Sequence, residues 1–203
     1  MNFVSFFIKY KLLLYPVSQS IRNGNLKPKT LNFKLNYIMA KITLKGNEIN
    51  TIGNLPANNT SAKDFSLVAQ DLSVKTLNDF AGSKVILNIF PSLDTATCAA
   101  SVRHFNKAAN DLPNTKVLCI SRDLPFAQSR FCGAEGLTNV ITLSDFRNGS
   151  FGKENGLEIV DGPLAGLLAR AVIILDEKGT VTYTQLVPEI VDEPNYEDVL
   201  SNL

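Results

Sequence analysis

Residues 85–98 read Val-Ile-Leu-Asn-Ile-Phe-Pro-Ser-Leu-Asp-Thr-Ala-Thr-Cys, and this stretch decides the fold that we expect. Its first six residues form an apolar run, which is typical of a strand covered on both faces, as in a parallel sheet. A helical pattern begins near Ala96, so Cys98 falls in the first turn of a helix. Unpaired backbone N–H groups and the positive end of the helix dipole favour a thiolate there. We therefore expect the chemistry of the protein at Cys98.

Two further apolar runs, at residues 116–120 and 140–143, follow with helical patterns between them. This β-α-β-α-β order predicts parallel strands with right-handed crossovers. Residues 171–175 and 181–187 flank Asp176-Glu177-Lys178-Gly179, which is a strong signal for an antiparallel hairpin. The sequence thus predicts an α/β protein with a mixed central sheet and helices on both faces.

Shorter elements surround this centre. Residues 42–52 alternate around a turn and predict an N-terminal β-hairpin with Gly46-Asn47 in the turn. Near the end of the chain, Pro194 precedes a predicted helix over residues 195–202.

Residues 1–38 differ from the rest of the 203-residue chain: they carry six basic residues and no acidic one. Their apolar run is interrupted by Lys9 and Lys11, which fits neither a signal peptide nor a membrane span. The missing acidic residues leave a transit peptide open, although Arg and Ser are sparse. Met39 is followed at once by clean alternating patterning. We expect residues 1–38 to be a spurious or disordered leader and residues 39–203 to form a single domain.

The remaining 14 basic and 19 acidic residues leave a net charge of −5 after residue 38, which gives no electrostatic footprint for nucleic acid. The three cysteines form neither a disulfide framework nor a C-x-x-C zinc pattern. They suit a reducing compartment in which one or two thiols are catalytic, so we expect a cytoplasmic location.

The helix after residue 95 carries one apolar stripe that begins at Cys98 and includes Val102 and Phe105. Thr95 is a plausible N-cap, with the helix predicted to reach residue 112. On position alone, Cys98 fits a reactive thiol and a small core residue equally well. His104 points to a different helix face from Cys98, which excludes a cysteine–histidine dyad of the papain type.

The other two cysteines differ in their surroundings. Cys132 lies in a predicted helix that starts at Pro125 and is capped by Gly133, so it occupies the last turn. A mobile thiol and a packing residue are equally compatible with that position. Cys119 lies inside an apolar strand and fits a core residue.

Arg170 places a charge at the start of an apolar strand, and a buried guanidinium requires an anionic partner. The sequence offers the Cys98 thiolate or a carboxylate such as Asp94 or Asp161. The carboxylate is the commoner partner for such a group.

At these residues the sequence resembles a known family. The pattern Pro91-x-x-x-Thr95-x-x-Cys98 resembles the P-x-x-x-T-x-x-C signature of peroxiredoxins. The strings at residues 88–95, 129–136 and 161–164 are similar to bacterial thiol peroxidases of the atypical two-cysteine type. The resemblance covers residues 39–203.

The resemblance implies a thioredoxin-like three-layer fold and a homodimer that reduces alkyl hydroperoxides and hydrogen peroxide. It makes Cys98 the peroxidatic cysteine and Cys132 the resolving cysteine of an intrachain disulfide. Thr95, Arg170 and Pro91 complete the implied site. Thioredoxin is the implied reductant, and no cofactor or metal is implied.

A non-catalytic redox sensor or binding module of thioredoxin-like fold is the alternative, since two cysteines alone permit it. Neither nucleic acid nor a membrane is expected as a partner.

Overall fold

A computed structural model of the protein describes residues 39–203. The leader predicted at residues 1–38 lies outside the described residues and stays a prediction, as does the domain boundary at Met39.

The N-terminal hairpin is present. Strands β1 (Lys41–Leu44) and β2 (Asn47–Asn50) pair antiparallel, with Ile42 opposite Ile49. The turn is Lys45-Gly46, one residue earlier than predicted, and both residues have positive φ (52° and 78°). A two-residue hairpin turn of this kind needs positive φ at both central positions, and glycine commonly takes the second.

A seven-stranded sheet forms the centre of the domain. Its strands are β3 (Leu67–Ala69), β4 (Val74–Lys75), β5 (Lys84–Ile89), β6 (Thr115–Ser121), β7 (Ile141–Ser144), β8 (Ala171–Leu175) and β9 (Val181–Leu186). Their spatial order is β4-β3-β7-β6-β5-β8-β9. The β5–β6 and β6–β7 pairs are parallel and the other pairs are antiparallel, which confirms the predicted mixed sheet.

Within residues 39–203, four α-helices pack around this sheet: α1 (Ala96–Ala108), α2 (Pro125–Glu135), α3 (Ser150–Glu154) and α4 (Tyr196–Ser201). Short 3-10 turns lie at Leu77–Phe80 and Ala109–Asp111. The second of these continues α1, so the α-helix itself is shorter than the residue 112 limit predicted for it.

The expected helix cap at Gly133 is wrong. Helix α2 continues to Glu135 and ends at Gly136, whose φ of 66° is left-handed. The carbonyl of Cys132 accepts the N–H groups of Gly136 and Leu137, so Cys132 still lies in the last turn. Glycine at Gly136 supplies the left-handed residue that closes such a helix end.

Side chains along β5 alternate between two hydrophobic clusters, as the period of a strand requires. Val85, Leu87 and Ile89 pack with the N-terminal hairpin and Phe151 of α3. Ile86 and Phe90 pack on the other face with α1 and Val199 of α4. Within residues 39–203, no helix has the length and apolar character needed to cross a bilayer.

Residues 187–191, which we call the cover segment, connect the hairpin to the central sheet. The main chain of Thr43 pairs with the carbonyl of Pro188 and the N–H of Ile190, at 2.7 and 2.9 Å. The Glu189 carboxylate accepts the N–H groups of Lys45 and Gly46, both at 2.9 Å. The hairpin turn is therefore tied to the cover segment by one side chain.

The Glu189 contact predicts a specific acid dependence of stability. Several hydrogen bonds lower the pKa of Glu189 from 4.5 to about 2, and the one from the Gly46 N–H has the largest effect. A carboxyl with a lowered pKa stabilises the fold above its unfolded pKa, and this stabilisation is lost as the pH falls from 4.5 towards 2. We expect Glu189→Gln to lower the free energy of unfolding at pH 7, with the difference from wild type shrinking over that range.

Urea unfolding followed by circular dichroism between pH 2 and 7 measures this difference. Glu197→Gln, at an exposed position outside the contact, is the matched control. A Glu189→Gln deficit that stayed constant from pH 7 to pH 2 would contradict the prediction.

Candidate active site

Cys98 is the third residue of α1, directly after the loop that follows β5. Thr95 has the extended backbone of an N-cap residue, with φ of −106° and ψ of 144°. Cys98, Val102 and Phe105 are fully buried along one face of the helix, which confirms the predicted stripe. The thiol thus lies within the first turn, at the positive end of the helix, and away from bulk water.

Arg170 contacts this thiol. Its Nη2 donates to Cys98 Sγ at 3.4 Å, and Arg170 is only 2% exposed. Nη2 and Nε also donate to the carbonyl of Ile190 in the cover segment, at 2.9 and 3.1 Å. A positive charge therefore lies against the sulfur in a site that excludes water, where charge–charge interactions are strong.

The sequence left the partner of Arg170 open between the Cys98 thiolate and a carboxylate, and the two carboxylates that it offered pair elsewhere. Asp94 lies 3.5 Å from the exposed Arg130, and Asp161 accepts hydrogen bonds from Asn50. Both aspartates belong to loops, and their solvent-facing positions let them pair at the surface. Arg170 instead donates to the sulfur of Cys98, which was the other partner that the sequence offered.

One donor of Arg170 has no partner. Among the described residues, no hydrogen-bond acceptor meets its buried Nη1. An unsatisfied buried donor costs about 1–3 kcal/mol, and native proteins rarely keep one without a reason. An oxygen atom of a ligand next to Cys98 would satisfy it.

Thr95 and Pro91 occupy the loop before the thiol in different ways. Pro91 is buried, whereas the Thr95 side chain is exposed. The Thr95 hydroxyl donates to the carbonyl of Ser92 at 3.1 Å and does not cap the helix. The structure thus brings Arg170 and Cys98 together, while the Thr95 hydroxyl turns back towards its own loop.

Sequence reasoning missed Asp123, which fastens this loop. Its carboxylate accepts the Ser92 hydroxyl and the Leu93 N–H, both at 2.7 Å, and the Ser121 hydroxyl at 2.8 Å. A signal was available, because parallel neighbours β5 and β6 end at the same edge of the sheet, where functional side chains collect. Asp123 follows β6 as Pro91 follows β5.

The other two thiols lie deeper. Cys132 in α2 is buried beside Gln70 and Thr142, and burial raises the pKa of its thiol. Burial also raises the pKa of Cys119 to about 12, although a hydrogen bond from Asn88 opposes the shift. Both cysteines are therefore protonated at neutral pH, and Cys119 fits its predicted place in the core.

The sheet register separates Cys98 from Cys132. Asn88, Cys119 and Thr142 are aligned on β5, β6 and β7. Asn88 donates to Ser101 of α1, whose hydroxyl donates to the carbonyl of Cys98, whereas Cys132 lies beside Thr142. Asn88 and Thr142 are therefore two strand spacings apart, about 10 Å, and a disulfide needs its two Cα atoms within roughly 7 Å.

All three cysteines are free thiols in this structure. A disulfide between Cys98 and Cys132 would therefore require movement of α1 and α2.

His104 takes no part in the thiol site. Its exposed ring stacks on Tyr196, with 3.6 Å between centroids. Partial burial lowers the pKa of the imidazole. Within residues 39–203, no group of three His, Cys, Asp or Glu side chains is placed to hold a metal ion.

Comparison with known proteins shows the family of the chain. The family model described as Redoxin matches residues 57–200. Thiol peroxidases of Mycobacterium bovis and Mycobacterium tuberculosis are each 56% identical over 165 residues, which cover 81% of this chain and 99% of each relative.

Solved structures show the same fold. A peroxiredoxin-like protein from Aquifex aeolicus superposes with a TM-score of 0.76 at 38% identity, covering 80% of this chain and 95% of that one. A thiol peroxidase from Chromobacterium violaceum gives a TM-score of 0.74 at 22% identity, over 79% and 93% of the two chains, and supports the fold alone.

The chain belongs to the redoxin family. Its class within that family is the peroxiredoxin-type thiol peroxidase, an oxidoreductase that reduces peroxides. The expected thioredoxin-like α/β fold is confirmed.

Proposed function

We propose that Cys98 is the peroxidatic cysteine, that Arg170 activates it, and that Cys132 resolves the oxidised sulfur. The contact between Arg170 Nη2 and Cys98 Sγ at 3.4 Å carries this proposal. It supports a thiolate in a buried site, and the unpartnered Nη1 is a donor for a peroxide oxygen. Nη2 thus contacts the sulfur, and Nη1 is available to the peroxide that the sulfur attacks.

In the first step the thiolate attacks one oxygen of a hydroperoxide, ROOH. The O–O bond breaks, Cys98 becomes a sulfenic acid, and the other oxygen leaves as an alcohol or as water after taking a proton. The Arg170 donor stabilises the negative charge that develops on the leaving oxygen. Phe90 and Leu93 belong to the apolar cluster around Cys98, which supports alkyl hydroperoxides as substrates along with hydrogen peroxide.

In the second step the Cys132 thiol attacks the Cys98 sulfenic acid, and water leaves as the intrachain disulfide forms. Because α1 and α2 separate the two thiols, both helix ends unwind during this step. Thioredoxin then reduces the disulfide through a mixed disulfide. We place this cycle in the cytoplasm, where a reducing environment keeps the three thiols free.

Pro91 and Thr95 have supporting roles in this proposal. Buried Pro91 has no N–H group to compete for the thiolate and shields it from water. The Thr95 hydroxyl, which donates to Ser92 in the resting structure, rotates to reach the sulfur or the peroxide when the substrate is bound.

Replacing each of the two cysteines is expected to block a different step of the cycle. Cys98→Ser abolishes peroxide consumption, because no attacking thiolate remains. Cys132→Ser forms one sulfenic acid per chain but loses thioredoxin-supported cycling. Coupled NADPH oxidation with thioredoxin and thioredoxin reductase measures cycling, and dimedone labelling with intact mass detects the sulfenic acid.

Cys119→Ser is the matched control and retains cycling, since Cys119 is a core thiol with a pKa near 12. Substantial cycling by Cys98→Ser would refute the assignment. Wild-type protein that forms the disulfide without consuming peroxide catalytically would instead indicate a redox sensor.

Arg170 is expected to contribute to the first step. In a Cys132→Ser background, Arg170→Gln slows sulfenic acid formation by about 100-fold, the cost of removing one preorganised donor. Rapid quenching with dimedone measures the rate. Arg130→Gln is the control, since Arg130 is 70% exposed in its pair with Asp94. Equal rates for the two variants would contradict the role of Arg170.

We also propose that the chain forms a homodimer through an apolar surface patch. Leu124 and Phe126 at the start of α2 are 50% and 65% exposed, and Phe146 is 41% exposed. The Asp145 N–H donates to the Ser121 carbonyl, so the segments bearing these side chains are neighbours. Exposed apolar clusters of this kind commonly mark protein interfaces.

Sedimentation of the full chain is expected to give a dimer, and Phe126→Glu is expected to shift it towards monomer because a charge would be buried in the interface. Val74→Glu, at an exposed position on edge strand β4, is the control. A monomeric wild type, or a Phe126→Glu protein that stays fully dimeric, would contradict this interface.

A further inference from the structure

We infer that Asp123 is a positioning residue whose release controls when Cys98 passes from peroxide attack to disulfide formation. The inference rests on the proposed two-cysteine cycle. Asp123 lies outside the contact between Cys98 and Arg170, and it acts through the loop at residues 91–95. We call its carboxylate, with the Ser92, Leu93 and Ser121 groups bound to it, the Asp123 latch.

The latch fixes the start of the loop. Asp123 Oδ1 accepts the Ser92 hydroxyl and Oδ2 accepts the Leu93 N–H, both at 2.7 Å. Ser92 Oγ in turn accepts the Asp94 N–H at 3.2 Å, so the effect extends along the loop. Hydrogen bonds to an ionised carboxylate are stronger than those between neutral groups. The Asp123 side chain therefore fixes the conformation of the loop that leads to Cys98.

The other end of the latch is anchored in the sheet. Ser121, the last residue of β6, donates its hydroxyl to Asp123 Oδ2 at 2.8 Å. The carbonyl of Asp123 accepts the Ser144 hydroxyl from β7, and the Ser121 carbonyl accepts the Asp145 N–H. Because these contacts come from the strands, Asp123 stays in place while the loop before α1 can detach from it.

Asp123 also lies at the junction of the two cysteine-bearing segments. Helix α2, which carries Cys132, begins at Pro125, two residues after Asp123. The latch therefore holds the loop before Cys98 against the connection that leads to Cys132. Breaking it frees the segment that must move before the two sulfurs can meet.

This placement makes two outcomes compete after the first oxidation. With the latch closed, the Cys98 sulfenic acid stays beside Arg170, where a second hydroperoxide oxidises it to sulfinic acid and leaves as an alcohol. With the latch open, Cys98 reaches Cys132 and forms the disulfide with loss of water. A weaker latch should slow the first oxidation, speed disulfide formation and reduce sulfinic acid.

Asp123→Asn tests this inference, because the amide keeps the shape but loses the charge and one acceptor. We expect sulfenic acid formation to slow by about tenfold, the effect of losing roughly 1.4 kcal/mol of charge-assisted bonding. Disulfide formation should accelerate several-fold, and the sulfinic fraction at high peroxide should fall. Rapid quenching with alkylation and intact mass measures all three species.

Ser92→Ala provides a second variant that removes one of the three donors. It should shift both rates in the same directions by smaller factors, and the double variant should show less than the sum of the two effects. If Asp123→Asn fails to fold, Ser92→Ala alone tests the inference, by whether its sulfenic acid formation slows while its disulfide formation accelerates.

Asp176→Asn is the matched control. Asp176 also accepts main-chain N–H groups, from Lys178 and Thr180 at 2.9 and 2.7 Å. It follows β8 at the end of the sheet opposite Arg170, since Leu175 pairs with Val85 and Ala171 with Ile89. This variant should lose stability without changing the proportion of disulfide to sulfinic acid.

Opposite changes in the two rates support the inference, since a general loss of structure would slow both. Rates that fall together, rates that do not change, or more sulfinic acid in Asp123→Asn would overturn it. If wild type consumes no peroxide, the proposed function fails. If wild type cycles but Asp123→Asn leaves the ratio of disulfide to sulfinic acid unchanged, only the positioning role of Asp123 is wrong.

Discussion

The contact between Arg170 and Cys98 constrains the rest of this structure. Arg170 is only 2% exposed, so its guanidinium must regain in protein contacts what it loses in hydration. Ile190 supplies a carbonyl for two of its nitrogens, and Cys98 supplies the sulfur. The start of β8, the first turn of α1 and the cover segment therefore have to meet at one point. The hairpin and Glu189 serve the same end, because they hold the cover segment in place.

The arrangement that places Arg170 against Cys98 also keeps Cys98 from its proposed partner. The carbonyl of Cys98 accepts the Ser101 hydroxyl, which itself accepts from Asn88 of β5, whereas Cys132 lies beside Thr142 two strands away. In the proposed cycle, the site that attacks the peroxide is thus closed to disulfide formation until both helix ends open. Such ends are the parts of a fold that open at least cost. In the proposed cycle, the residues around Cys98 therefore both react with peroxide and unfold locally.

The architecture follows from local patterns, and so the sequence predicts it well. Apolar runs identify β5, β6 and β7, and the stripe through Val102 and Phe105 identifies the buried face of α1. Contacts between distant side chains are set by strand register and loop paths, which no periodic pattern encodes. For this reason Asp123 was missed, the partner of Arg170 stayed open between a carboxylate and the Cys98 sulfur, and the Thr95 hydroxyl was expected to cap the helix. Gly133 and Gly136 are equally plausible caps by residue type, and packing selects the second.

The carbonyl of Ile190 has a consequence for biosynthesis. Cys98 is separated from Arg170 by 72 positions, and Arg170 from Ile190 by a further 20. Ribosomes make the cysteine long before the groups that surround it. It follows that the nascent thiol lacks its cationic neighbour and its cover until the last part of the domain has emerged. In the proposed cycle, the sulfur therefore meets its cationic neighbour only once the fold is complete.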